Sequence, residues 1–210
     1  MVQHKKSRLH DIIVSDLKRY YVIECGAIDP PIRSKIRAIL FSYGLHALVA
    51  YRVGQYIKKN SYYILVLGRI ASSVINVLNL FVRKIYGIFI SPDADIGEGA
   101  YIGHFGNINI NRCSIGKNCS IHQHTTLGKD SINGSGPIIG DYVWIGAHSI
   151  INNDVKVENN ATIAAGSNVL RCVKEYALVM GNPARVIHNH YDNSMLLGVM
   201  NTSNELEENN

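Results

Sequence analysis

The chain has 210 residues, room for one ordinary domain and a smaller companion. Its 47% hydrophobic content is that of a globular protein with a buried core, which sets aside a disordered chain. The formal charge of +5 hides an asymmetry: residues 1–90 carry 14 Lys/Arg against 4 Asp/Glu, and residues 91–210 carry 7 against 12.

A basic front half suits an anionic partner such as phosphate-bearing lipid, nucleotide or nucleic acid, or is a solvated helical face. No nucleic-acid recognition motif accompanies the charge, so nucleic acid is not expected. Residues 1–88 read as a helical region. Asp11–Tyr21 and Pro31–Leu48 carry apolar residues at three- and four-residue spacing, with Pro30-Pro31 as a break and helix start. Gly44 reads as punctuation before a further helical stretch, Ala47–Ile57. The longest apolar run, Ile70–Val82, has 13 residues, short of the roughly 18–20 that a spanning helix needs. It suits a buried helix or one lying in a membrane interface. Cys25, Cys113, Cys119 and Cys172 form no CxxC pair and no signal peptide is evident, which implies reduced thiols in a cytoplasmic protein.

From Ile90 the period changes. Aliphatic residues recur every six positions at Ile90, Ile96, Ile102 and Ile108, resume at Ile115, Ile121 and Leu127, and resume again from Ile139 to Val169. Glycine follows many of them, and small residues such as Ala100, Cys113 and Cys119 precede the next. A period of six fits no amphipathic helix, whose stripe needs 3.6. It suits a triangular coil of three short strands per turn, stacked so that each turn buries the one below, with about four coils between Ile96 and Val169. Two interruptions stand out: one inserted residue between Ile108 and Ile115, and the segment 129–137 (KDSINGSGP), which reads as an extruded loop. The domain reading is helical 1–88, β-helix 89–188 with that loop, and a flexible tail 189–210.

The pieces ISPDADIG (90–97), IGHFGNINI (102–110), IGKNCSIHQHTTLG (115–128), IGDYVWIGAHSII (139–151), AAGSNV (164–169) and GNPARVI (181–187) together resemble the hexapeptide-repeat acyltransferases. The likeness is greatest to the serine acetyltransferase branch, and within it to members acting on bacterial capsular, exopolysaccharide or O-antigen sugars. YGLHALVAYRVGQYI (43–57) resembles the helix that precedes the β-helix in that branch. The resemblance implies a mainly β fold, a left-handed parallel β-helix behind helices. It also implies an acetyl-CoA-dependent O-acetyltransferase without metal, a homotrimer or dimer of trimers, and acetyl-CoA lying between adjacent β-helices.

O-acetyl transfer needs a base for the acceptor hydroxyl and donors for the oxyanion. The resemblance places the catalytic histidine at His104. His122, Gln123 and His124 are candidates for acceptor binding or support, and His148 reads as a turn residue. By position, Gly128, Ala147, Ala165 and Pro183 carry over as acetyl-CoA contacts, with Arg185 as a phosphate contact and Trp144 either walling the groove or serving as packing. Two departures from serine acetyltransferase bear on the acceptor. The aspartates expected around the catalytic histidine fall on Phe89 and Gly103, leaving Asp93, Asp95, Glu98 or a backbone carbonyl as its partner. The basic Arg-His pair that recognises the serine carboxylate falls in NGSGP, without a cation. The expectation is therefore a sugar hydroxyl of a surface polysaccharide or its precursor, met at the inner face of the cytoplasmic membrane, with serine as the alternative acceptor. His104, His122 and His124 also invite comparison with the zinc-binding γ-type carbonic anhydrases, but their spacing does not match that family.

Overall fold

A computed structural model of the chain describes residues 9–60, 67–128 and 135–198. Four helices come first: α1 (Leu9–Cys25), α2 (Ile32–Phe41), α3 (Tyr43–Asn60) and α4 (Leu67–Tyr86). The run Ile70–Val82 lies inside α4. Among the described residues no helix is long and apolar enough to cross a membrane.

Gly44 does not punctuate. The helix break falls at Ser42, whose backbone turns extended and whose hydroxyl donates to Glu24 at 2.6 Å. Gly44 lies within α3, and a Cβ there would collide with the Ile102 carbonyl oxygen. Glycine is used here for close approach, not for flexibility.

The rest is a left-handed parallel β-helix of about five turns. The first holds β1 (Ile88–Ile90), β2 (Asp95–Ile96) and β3 (Tyr101–Ile102); the second holds β4 (Ile108–Ile110), β5 (Ser114–Ile115) and β6 (Ser120–Ile121). The third holds β7 (Thr126–Leu127), β8 (Ile138–Ile139) and β9 (Trp144–Ile145), and the fourth β10 (Ile150–Ile151), β11 (Lys156–Val157) and β12 (Thr162–Ile163). The fifth has β13 (Asn168–Val169) and β14 (Leu178–Gly181), after which β15 (Ala184–His188) folds back antiparallel on β14. Three parallel sheets run along the prism, in the orders β1-β4-β7-β10-β13, β2-β5-β8-β11 and β3-β6-β9-β12-β14.

Each strand of the parallel sheets sends an aliphatic residue inward. The ladders Ile102–Ile121–Ile145–Ile163 and Ile110–Leu127–Ile151–Val169 are almost wholly buried. Each such side chain contributes about 1.5–3 kcal/mol of burial. Cys113 and Cys119 occupy the small inward positions, where burial pushes both thiols up to about 12. The register corrects the sequence reading. Ile110, not Ile108, is the partner of Leu127, so eight positions separate Ile102 from Ile110 where the later turns use six. Two extra residues therefore sit in the corner after β3, and the next corner, before β5, is one residue short. The insertion expected after Ile108 lies before it.

The helices close the open edge of the first turn. Arg52 of α3 donates to the carbonyls of Ile96 and Gly97 and to Asp16 of α1 at 3.1 Å; Asp16 in turn accepts from the Ala100 backbone at 3.1 Å. Tyr20 accepts from the Ile102 N–H and donates to its carbonyl, both at 3.0 Å, and Tyr51 donates to Ala94 at 2.7 Å. Residues 129–134 of the expected loop and 199–210 of the tail lie outside the described residues. The start of the tail is docked: Asn193 donates to the carbonyls of Tyr142, Asn160 and Ala161, and Leu197 in the short α5 (Ser194–Leu197) is buried.

Arg52→Met removes one half of a buried ion pair and uncaps two carbonyls. It should cost about 3–5 kcal/mol, read as a lower urea midpoint at fixed chain concentration; an unchanged midpoint would show that the cap is dispensable.

Candidate active site

The corner after β3, enlarged by its two extra residues, carries His104. His104 has φ 64, in the left-handed region, and its side chain is exposed. In the corners stacked above, His124 (φ 58), His148 (φ 60) and Gly166 share one left-handed position, which Asn107 (φ 46) takes in the His104 corner. Histidine tolerates this region better than branched residues, yet still at a cost relative to glycine. Three histidines thus line one edge of the prism, and the rings of His124 and His148 stack at 4.5 Å.

The helical region grips this corner. The Gly106 N–H donates to Tyr86 at the end of α4 and the Ile108 N–H donates to Gly87, both at 2.9 Å. The exposed Phe105 meets Tyr43 of α3 edge-on at 5.6 Å, and Tyr43 packs on Tyr86 at 4.8 Å. From the other side His124 N–H donates to the Gly106 carbonyl at 2.9 Å. The His104 backbone is therefore fixed while its imidazole makes no hydrogen bond or ion pair among the described residues. The Tyr43–Phe105–Tyr86 clamp had no signal in the sequence, because it joins residues from two regions of different period.

The carboxylates considered as partners of His104 are engaged elsewhere. Asp93 pairs with Lys58 of α3 at 3.1 Å, and Glu98 with Lys117 at 2.8 Å. Asp95 stands on β2, in a different sheet. Asp93 is thus tied to the helical region and not brought to the histidines. Phe89 instead lies under the Arg83 guanidinium, 4.8 Å from its ring centroid.

His122 is brought close. It stacks one turn above Gly103, and a Cβ on Gly103 would come within 3.0 Å of His122 Nδ1. Its ring packs against Trp144 at 4.9 Å and faces Tyr101 at 6.2 Å. Burial, with the charge of His104 second, lowers its pKa to about 4. His122 Nε2 and the adjacent Gln123 Oε1 are buried without a partner among the described residues. Native structures leave few such atoms.

The candidate acetyl-CoA contacts lie on two different edges. Trp144 on β9 and the corner residues Ala147 and Ala165 share the edge of His104. Gly128 follows β7, at the next edge of the prism, where Asn111 donates to its carbonyl at 2.9 Å. Pro183 and Arg185 are exposed at the β14–β15 hairpin. Among the described residues no group of three His, Cys, Asp or Glu could hold a metal ion.

A family profile described as bacterial transferase hexapeptide (six repeats) matches residues 136–171. A serine acetyltransferase of Staphylococcus epidermidis is 35% identical over 167 residues, which is 76% of this chain and 72% of that one. The structure of the Brucella abortus serine acetyltransferase in complex with coenzyme A superposes with a TM-score of 0.71 at 25% identity, covering 86% of this chain and 68% of that one. The Neisseria gonorrhoeae serine acetyltransferase in complex with serine gives 0.70 at 25% identity, covering 87% and 70%. These relatives overturn the expectation of a polysaccharide acceptor. That expectation rested on missing cations at aligned positions, which says nothing of a cation supplied from another part of the fold.

Because the folded pKa of His122 lies below the ordinary 6.5, the unfolded chain binds a proton that the folded chain refuses as pH falls from 6.5 towards 4. Stability should therefore decline across that window, by up to about 1.4 kcal/mol per pH unit. Urea midpoints at pH 7 and 5 should show the decline in the wild type and a smaller one in His122→Leu; equal declines would put the cause elsewhere.

Proposed function

Since the chain belongs to the serine acetyltransferase family of hexapeptide-repeat transferases, we propose that it moves the acetyl group of acetyl-CoA to the hydroxyl of serine, with His104 as general base. The observation that carries this reading is the exposed, unpartnered imidazole of His104 on a backbone fixed from both sides. A base must reach the proton it takes, and a neutral imidazole suits that task near pH 7. His104 takes the hydroxyl proton as the serine oxygen attacks the thioester carbonyl. The tetrahedral oxyanion then collapses, expelling the CoA thiolate, and the imidazolium returns its proton to that sulfur. The rigid corner contributes by holding the base at a set place before the substrates meet.

The placement of the candidate CoA contacts favours a site between subunits. Gly128 lies on a different edge of the prism from Trp144 and Ala147, so one chain alone does not gather them around one ligand. A homotrimer would set the His104 edge of one β-helix against the Gly128 edge of the next. The same geometry answers the missing cation. A side chain at Gly136 would collide with the Arg112 carbonyl oxygen, so that position stays bare. Arg112 itself is exposed on the Gly128 edge, and its guanidinium is a suitable partner for the serine carboxylate.

Contact with an anionic membrane is supported by one feature of α2. It exposes Ile32, Ile36 and Leu40 in a stripe beside Arg33, Lys35 and Arg37, with no acidic residue in the helix. Vesicles containing phosphatidylserine should then co-sediment the protein at low salt and release it at high salt; equal recovery with neutral vesicles would remove the idea.

The central test is thiol release from acetyl-CoA in the presence of L-serine. His104→Ala should lower kcat roughly 10²- to 10⁴-fold, and Arg112→Gln should raise KM for serine while leaving that for acetyl-CoA near wild type. Co-expression of the two variants should restore activity, because one interface of a mixed trimer then has both residues intact. No serine-dependent thiol release from the wild type sinks the acceptor; full activity of His104→Ala sinks the base.

A further inference from the structure

We propose that His122 is the positioning residue of His104: its Nδ1 accepts a hydrogen bond from a ring N–H of His104 and so fixes which nitrogen of His104 faces the acceptor. The inference rests on His104 being the base.

Four observations lead to it. The ring of His122 stands where a side chain on residue 103 would be, with Nδ1 within 3.0 Å of that Cβ position, directly beside the backbone that carries His104. The stacking is fixed by backbone hydrogen bonds, Gly103 N–H to Ile121 at 2.8 Å and His122 N–H to Ile145 at 3.1 Å. The ring is further held between Trp144 and Tyr101, so it offers a stationary acceptor. Finally, the carboxylates considered as partners of His104 are placed elsewhere: Asp93 pairs with Lys58, Glu98 with Lys117, and Asp95 stands on β2 in another sheet.

The tautomer follows from the surroundings. Nε2 is buried with no hydrogen-bond partner among the described residues, and the ring as a whole packs against Trp144 with centroids 4.9 Å apart. An N–H beside an aromatic ring gains from its face, whereas a bare lone pair gains nothing. On this reading the proton resides on Nε2 and Nδ1 keeps its lone pair. Burial lowers the pKa to about 4, so this neutral acceptor persists across the working range of His104. The titratable groups that bear on the ring are His104, as a charge, and the Tyr101 phenol. The His104 imidazole makes no hydrogen bond among the described residues, so turning an N–H onto Nδ1 breaks none. A neutral acceptor does by geometry what a carboxylate does by geometry and charge, so the imidazolium is stabilised less.

Three variants separate positioning from packing. Asparagine places its amide oxygen near the position of Nδ1, glutamine near that of Nε2, and leucine keeps bulk alone. His122→Leu should lower kcat roughly 10- to 100-fold and move the acid limb of the kcat/KM profile to lower pH. His122→Asn should recover most of both, and His122→Gln should not. Full activity in His122→Leu, or no advantage of Asn over Leu and Gln, overturns the proposal. Histidine side-chain NMR reads the same pairing without turnover. A single His104 tautomer in the wild type and His122→Asn, lost in His122→Leu, supports it, and an identical tautomer mixture in all three overturns it. If the wild type proves inactive with serine, the acceptor reading fails while the NMR result still decides the pairing.

Discussion

A parallel β-helix has an unavoidable open end: the first turn presents backbone donors and acceptors with no turn beneath them. Buried or half-buried groups of this kind cost about 1–3 kcal/mol each when left unpaired, and exposed edges invite pairing with other chains. Here the helical region answers that constraint group by group. Arg52 takes the carbonyls of Ile96 and Gly97, Tyr51 takes Ala94, Gln55 takes Pro92, and Asp16 receives the Ala100 N–H. Tyr20 serves both the donor and the acceptor of Ile102. The buried Arg52–Asp16 pair is then less an isolated salt bridge than two halves of one cap. Desolvation raises the Asp16 pKa even against the pull of Arg52, so the pair's value lies in the backbone groups it satisfies.

The same helices reach the corner that carries His104. Tyr86 and Gly87 at the end of α4 receive the N–H groups of Gly106 and Ile108, and Tyr43 at the start of α3 meets Phe105. Capping and positioning are thus performed by the same elements. The two extra residues of this corner would otherwise be a loose bulge on a regular prism. Held from the helical side and by His124 from the next turn, they become a platform that projects an imidazole without letting its backbone wander.

How much of this was legible in the sequence follows from period. Hexads from Ile90 to Val169 carry the fold because each inward position demands an aliphatic residue, whatever lies on the corners. The same regularity misplaced the insertion. Ile108 and Ile110 are both aliphatic and both buried, so spacing alone chose Ile108, and only the pairing of Ile110 with Leu127 moved the extra residues to the His104 corner. Gly44 misled for a related reason: a glycine kept for close approach to Ile102 looks in sequence like one kept for a turn. The polysaccharide acceptor was inferred from the absence of a cation at one stretch of chain, a local reading that the serine acetyltransferase relatives overturn.

Residues 103 and 122 crowd each other, and that crowding bears on the missing carboxylates. A bare Cβ at 103 would come within 2.9 Å of the Tyr101 ring and 3.0 Å of the His122 ring, so an aspartate there would require both neighbours to shift. With glycine at 103 the His122 ring sits between Tyr101 and Trp144. Phe89 belongs to the same exchange: with Arg83 lying over it, a carboxylate at 89 would be drawn into an ion pair and away from His104. Missing carboxylates, read singly, look like a damaged site. Read with His122, Trp144 and Arg83, they fit the proposed replacement of a charged support for His104 by a neutral one.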